Sequence, residues 1–278
     1  MTRENVFVRG TGMTVTTQDG TSFEDWTAQA SANNIGLGRE DMARALAEQS
    51  IRLSWLSPGL FSDFRVSLTS DLLSVLPNGI KVPFYGIGGS DSIEAAIRAA
   101  RLATRKKCVL SFADGYHGDT IATESVSGWS VEGSRDAMTW TVHVPSPHEW
   151  FQVLNGWEEA FERCFEGVEA AVQKYGRRKF ACLVVEPVAD SAGAVPLKPS
   201  FSKALRELCD RHEIKLVADE VITGFGRTGE WFGSTSVGLE PDAVVLAKGL
   251  TGGYAPLGAV VFERSWGEGL HQRGFPHG

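Results

Sequence analysis

Between residues 82 and 262, short apolar, β-branched runs alternate with stretches of helical period, and this alternation constrains the fold more than any other feature of the chain. The predicted strands are Val82–Tyr85, Cys108–Phe112, Thr139–Val144, Phe180–Val185, Lys215–Ala218, Ala243–Ala247 and Gly258–Phe262. Between several of them lie helical patterns, notably Asp91–Arg105, Trp157–Tyr175 and Ser200–His212. Chains of this kind bury a mostly parallel sheet, here of seven strands, between helices on both faces. Residues 1–30 read as a β-rich lead-in turned at Asp19-Gly20. Helices are predicted over 39–49 and 64–76, the second closed by Pro77-Asn78-Gly79. No internal repeat or low-complexity stretch interrupts the pattern.

An open α/β sheet holds its ligand outside the carboxyl ends of its strands. The run Ile214–Ala218 ends there in Asp219, with Glu220 behind it, and the run Asp242–Ala247 ends in Lys248. A carboxylate and a lysine delivered to one sheet edge can hold a cofactor's ring nitrogen and link to it covalently, as pyridoxal phosphate chemistry requires. Upstream, Tyr85-Gly86-Ile87-Gly88-Gly89-Ser90 is a glycine-rich turn leading into a helix with Ile93, Ala96, Ile97 and Ala100 on one face. Asp91 and Glu94 are spaced like an acidic capping box. The start of such a helix is an anion site, although a plain strand-to-helix turn reads the same way.

The blocks DEVITGFGRTGEWF and LAKGLTGGYAPLGAVV closely resemble the active-site region of the class III (ω-amino-type) aminotransferases, fold-type I pyridoxal phosphate enzymes. GGSDSIEAAIRAAR at 88–101, DGYHGDT at 114–120 and VVEPV at 184–188 match in the family's order. The resemblance implies a fold-type I large domain with pyridoxal 5'-phosphate as cofactor. It casts Lys248 as the Schiff-base lysine and Asp219 as the partner of the ring nitrogen. Gly89 and Ser90 would hold the phosphate, Tyr116 would stack on the ring, and Val221 would pack on its opposite face. His117 takes a supporting role, with an ordinary loop histidine equally open. Glu186 matches a carboxylate near the substrate, and capping a strand end is as good a role for it. The chain departs from the family at Gly88, Asp91 and Ile93, where serine, glutamate and asparagine are usual. The implied activity is amino-group transfer between an amine or amino acid and a keto acid. Aminomutase, racemase or decarboxylase chemistry on the same cofactor is the alternative, and a non-catalytic protein that keeps the fold is another. A homodimer is implied as well.

Composition is ordinary for a globular protein. Of 278 residues, 42% are hydrophobic and 22% charged, and the net charge of −7 with no basic aromatic stripe argues against nucleic acid. The basic clusters Arg105-Lys106-Lys107 and Arg177-Arg178-Lys179 read as solvated helix or loop ends. The four cysteines (Cys108, Cys164, Cys182 and Cys209) form no CxxC pair and read as buried free thiols. No apolar stretch approaches membrane-spanning length and no signal peptide opens the chain, so a cytoplasmic protein is expected. Gly224-Phe225-Gly226-Arg227-Thr228-Gly229 spells GxGxxG, but no helical period follows it, so a dinucleotide fold is rejected. No histidine cluster has metal-ligand spacing, and no metal is expected. The run Trp55-Leu56-Ser57-Pro58-Gly59-Leu60 falls where the family's substrate entrance lies, making Trp55 a specificity candidate.

The sequence ends at Phe275-Pro276-His277-Gly278. Against the family, residues 1–60 correspond to an N-terminal segment and 61–278 to the cofactor-binding large domain, with the C-terminal small domain absent. A fragment, one half of an enzyme completed by a second chain, and a degenerate relative are the three readings. The loss of the small domain would leave apolar surface uncovered.

Overall fold

The seven predicted strands form one sheet, and its order explains why their sequences are so uniformly apolar. The structure is a computed structural model that describes residues 6–57, 59–129, 138–154, 156–176 and 179–275. In chain order, an antiparallel β1 (Phe7–Thr11), β2 (Thr14–Thr17) and β3 (Ser22–Glu24) precede a left-handed turn α1 (Ala28–Ser31) and helices α2 (Glu40–Arg52) and α3 (Asp63–Val75). Then come β4 (Ile80–Gly86), α4 (Gly89–Thr104), β5 (Cys108–Phe112), α5 (Ile121–Val126), β6 (Thr141–Val144), α6 (Pro147–Leu154) and α7 (Trp157–Tyr175). β7 (Phe180–Val185) is followed by the hairpin β8 (Val188–Ala189) and β9 (Val195–Pro196), then α8 (Pro199–His212) and β10 (Lys215–Asp219). The turn α9 (Gly233–Ser236), β11 (Ala243–Leu246), β12 (Gly258–Glu263) and α10 (Arg264–Gln272) complete the described chain.

The large sheet runs β4-β12-β11-β10-β7-β5-β6, with β12 antiparallel to both neighbours and the other strands parallel. This is the mostly parallel seven-stranded arrangement that the sequence pattern implies, with β12 as its antiparallel member. One face is covered by α4 and α10, whose Ile93, Ile97, Trp266 and Leu270 pack with Val109, Val184 and Val245. The other is covered by α3, α7 and α8 through Leu72, Phe161, Val168, Phe201 and Leu205. All six residues of β7 and all four of β11 are buried, the signature of strands covered on both sides.

Helix ends follow local chemistry. Pro199 opens α8 and Glu213 closes it in a left-handed conformation. Thr120 and Thr123 form a reciprocal capping box at α5. Two expectations are corrected here. α4 begins at Gly89 rather than Asp91, with Gly88 as its extended N-cap, and Asp91 instead reaches back to accept the Ile87 N–H at 3.1 Å. Lys106 is not solvated; it is buried, and its Nζ donates to the carbonyls of His212 and Glu213, closing the orphaned end of α8. Arg177 and Arg178 lie outside the described residues, as do Pro58 and Pro276-His277-Gly278. The cysteines are free, with Cys164, Cys182 and Cys209 buried and Cys108 half-buried.

The lead-in hairpin turns at Asp19, whose Oδ1 accepts the Thr21 N–H at 3.1 Å, and at Gly20 with φ +91°. Further on, this segment touches the sheet where it matters. Asn34 Nδ2 donates to the carbonyls of Phe225 and Gly249, and the Tyr254 hydroxyl donates to the Gly36 carbonyl at 2.7 Å. Gly252, at φ +61°, would bring a Cβ within 2.6 Å of Ile35, so this docking requires glycine.

Candidate active site

The carboxyl edge of the sheet gathers the candidate catalytic and cofactor-binding residues into one cavity. Asp219 is the last residue of β10, and its Cα partner across the ladder is Val245 of β11. The next residue, Glu220, points away from the cavity and accepts the N–H groups of Gly233 and Ser234 at 2.8 and 2.7 Å and the Thr223 hydroxyl. Adjacent carboxylates therefore face opposite ways, one lining the cavity and the other fixing the loop behind it. Two residues beyond β11, Lys248 turns the chain left-handed at φ 38° into a single 3-10 turn. That conformation costs about 1 kcal/mol for a residue with a Cβ.

The cavity has a volume of about 270 Å³ and is lined by Gly89, Ser90, Tyr116, His117, Glu186, Asp219, Val221 and Lys248, with Gly88, Gly118, Ile222 and Thr251 among its other walls. At one end, α4 starts at Gly88 with no side chain capping it. The first N–H groups of the helix and the dipole behind them face the cavity rim. Gly118, at φ +126°, is held so close that any Cβ there would collide with Ser90 Oγ. Gly258 at the start of β12 likewise leaves no room for a Cβ against the Gly88 carbonyl. A Cβ on Gly89 would meet Val221 at 3.0 Å, which shows how tightly that end closes.

At the floor, Asp219 Oδ2 lies 2.8 Å from His117 Nδ1, and Asp219 Oδ1 accepts the Val221 N–H at 3.1 Å. Burial alone would lower the His117 pKa, but the hydrogen bond and charge of Asp219, with the charge of Glu186, carry it above the usual histidine value. His117 is thus tied to Asp219, and its own N–H donates to Ser127 Oγ at 2.8 Å. Glu186 accepts the Tyr116 N–H at 3.2 Å; burial pushes its pKa up to about 7, against the lowering effect of His117. Lys248 is lowered by burial, against the pull of the Asp190, Asp219 and Glu186 carboxylates. Tyr116 stands at the wall with its hydroxyl donating to Asp119 at 2.8 Å, and burial with that carboxylate raises its pKa to about 12.

Beyond the shared wall of Tyr116, Glu186, Ile222 and Lys248 lies a second cavity of about 310 Å³, completed by Trp129, Asp190 and Ser191. Sequence reasoning did not single out Asp190, Trp129, Ser127 or Asp119. Their contacts reach across loops of unrelated length, and only the Asp-Ser-Ala-Gly composition at 190–193 hinted at a turn. Trp55 is 74% exposed and lines neither cavity. The GxGxxG run lies in turns, and no helix opens at Gly229. Among the described residues, no helix is long and apolar enough to cross a membrane, and no cluster of His, Cys, Asp and Glu is placed to hold a metal.

The donor set fits a pyridine ring with a phosphate arm. A helix start and a hydroxyl stand at one end, a carboxylate at the floor, an aromatic ring and a valine in the walls, and a partly desolvated amine beside them. A parallel sheet carrying this edge defines a fold-type I pyridoxal phosphate transferase. The model of the class III aminotransferases matches residues 2–278, and the chain belongs to that family, whose members depend on pyridoxal phosphate. The chain is 33% identical over 290 aligned positions to adenosylmethionine-8-amino-7-oxononanoate aminotransferase of Geobacter sulfurreducens, covering 98% of this chain and 64% of that one. It superposes with a TM-score of 0.91 on an (S)-enantioselective ω-transaminase of Thermomicrobium roseum, 32% identical, covering 98% and 64% of the two chains. A taurine:2-oxoglutarate aminotransferase of Bifidobacterium kashiwanohense, solved with pyridoxal phosphate and glutamate, superposes at 0.92 with 25% identity, covering 98% and 63%. The chain therefore spans less than two thirds of the length of these relatives.

Proposed function

We propose that this chain binds pyridoxal phosphate through Lys248 and transfers an amino group between an amine or amino acid and a keto acid. The observation that carries the reading is the convergence of Lys248, Asp219, Tyr116, Val221 and the start of α4 on one cavity. When bound, the cofactor supplies an electron sink for charge developing at the substrate's α-carbon. The chain's own residues do the rest. Gly89 and Ser90 offer backbone N–H groups and a hydroxyl to the phosphate. Asp219 presents its carboxylate to the ring nitrogen, and His117 and the Val221 N–H keep that carboxylate from turning away. Tyr116 and Val221 confine the ring between them. Lys248 holds the cofactor covalently and, when its Nζ is free, takes a proton and returns it at a neighbouring carbon. Its lowered pKa supplies the uncharged amine that both roles need. Glu186, near neutrality in its titration, adjusts the charge of the substrate side.

We also place the N-terminal boundary near residue 60, the large domain over 61–278, and the functional unit as a homodimer in the cytoplasm. Support for the dimer comes from Trp26, Ile51 and Phe61, which are 81%, 88% and 84% exposed along the N-terminal segment and at its boundary with the large domain. Free, mostly buried thiols accord with a reducing compartment.

Absorption spectra with added pyridoxal phosphate test the reading. The intact chain develops a visible band that shifts on adding an amine, and Lys248→Ala develops none. A band of equal strength in both proteins would refute the assignment of Lys248.

A further inference from the structure

The second cavity has a chemical character of its own. It is walled by two aromatic rings, Tyr116 and Trp129, set edge to face with centroids 6.0 Å apart. Facing them is Asp190, at the tip of the β8–β9 hairpin. The tip is fastened twice. The Asp190 carbonyl accepts the N–H groups of Gly193 and Ala194, and Ser191 Oγ donates to the Asp114 carbonyl at 2.6 Å. That second bond ties the hairpin to the loop that carries Tyr116. The Asp190 carboxylate itself forms no hydrogen bond or ion pair within the described residues, although every neighbouring carboxylate of the site has one. Asp219 is bound by His117 and Val221, Glu186 by Tyr116, and Asp119 by the Tyr116 hydroxyl. A carboxylate with no hydrogen bond of its own, drawn on within the site only by the Lys248 charge and sharing a cavity with two aromatic rings, is an arrangement that attracts an organic ammonium ion. Lys248, on the opposite wall, is the only cation among the lining residues, and its amine is committed to the reaction.

We propose that Asp190, with Tyr116 and Trp129, forms a recognition box for a second ammonium group, so that amino donors with a cation at each end are preferred over neutral or carboxylate-bearing ones. The proposal rests on the transaminase reading for the word donor, but the box is a binding site that exists without turnover. A donor enters with one amine toward Lys248 and its distant ammonium against Asp190. No bond forms or breaks at Asp190, which makes it a specificity-determining residue.

Calorimetric titration of the full chain, without added cofactor, tests this with three probes of similar length: putrescine, pentylamine and γ-aminobutyrate. The expected order is putrescine tightest, pentylamine next and γ-aminobutyrate weakest, with about five- to tenfold between the dication putrescine and the monocation pentylamine. Asp190→Asn brings putrescine and pentylamine within twofold, and Asp190→Glu restores the order. Trp129→Leu weakens putrescine alone. Raising the ionic strength to about 0.5 M compresses the order in the intact chain and has no effect on it in Asp190→Asn. A preference that survives Asp190→Asn, or no preference in the intact chain, overturns the proposal. The Lys248-dependent absorption band separates the two ideas. Its absence with the charge order intact overturns the transaminase reading and leaves the box standing, whereas its presence without a charge order overturns the box alone.

Discussion

The sheet half of the molecule and its N-terminal segment use apolar residues in opposite ways. In β7, β11 and β12 almost every side chain is buried, and α4 alone contributes seven buried residues. By contrast β1 and β3 bury none, and α2, amphipathic over thirteen residues, buries none either. Trp26, Ile51, Trp55 and Phe61 are each more than 70% exposed. The sheet half closes its own core, whereas the N-terminal segment spends its apolar surface outward and holds to the sheet by polar contacts such as Asn34–Gly249 and Tyr254–Gly36. The first region closes a core behind the site, and the second leaves its large apolar side chains at the surface.

Two substitutions, one in each region, should differ in stability by several kcal/mol. Phe180, fully buried in β7, should cost about 3–5 kcal/mol when replaced by alanine. Phe61→Ser should change the chain's own stability by less than about 0.5 kcal/mol. It should instead shift the self-association equilibrium toward monomer, since binding energy and folding energy are separate there. Urea unfolding at dilution and sedimentation equilibrium give the two numbers. A loss of several kcal/mol from Phe61→Ser in the monomer would break the comparison.

The same contrast explains what could be read from the chain. Strands covered on both faces are continuous apolar runs, so Cys108–Phe112 and Phe180–Val185 were legible to the residue. The edge strand β6 begins at Thr141, two positions after the run suggested, because Thr139 and Trp140 lie in the turn before it. The hairpin β8–β9, with two residues per strand, and the short α5 and α6 lack a period long enough to detect. Asp219 and Lys248 were legible because each ends an apolar run. The bond between His117 and Asp219 was not, since 102 residues separate them and only the fold brings them together. The exposed tip residue Asp190 carried no signal beyond turn composition.

The two regions also differ in how their acidic groups titrate. The acidic groups of the N-terminal segment, such as Asp41, are fully exposed and paired locally. Glu186 in the sheet half is buried, and its pKa rises from 4.5 to about 7. Below pH 4.5 both the folded and unfolded carboxyls hold a proton. Between 4.5 and about 7 only the folded one does, so stability falls as pH rises through that window and is not regained above it. His117, also raised, acts in the same direction, its contribution being lost as pH rises through its folded value. Glu186 alone accounts for on the order of 3 kcal/mol. Glu186→Gln should therefore flatten the decline, and urea midpoints at about pH 5 and pH 8 measure it. Equal declines in the two proteins would show that Glu186 keeps an ordinary pKa.

The smallest effect concerns the point where the scaffold becomes a site. Gly88 caps α4 in an extended conformation at φ 177°, which any residue adopts, and a Cβ placed there meets nothing within 4 Å. Nothing in the fold therefore demands glycine at 88, unlike Gly118 and Gly258, where a Cβ has no room. Gly88→Ser should be accepted with a gain of a few tenths of a kcal/mol as a better N-cap. It should also tighten pyridoxal phosphate binding about three- to tenfold, by adding a hydroxyl donor beside Ser90. Gly88→Ala is the control, since it fills the same space without the hydroxyl. If alanine and serine change the equilibrium dissociation constant equally, the gain comes from stiffening the turn, and the hydroxyl at this position does not reach the phosphate.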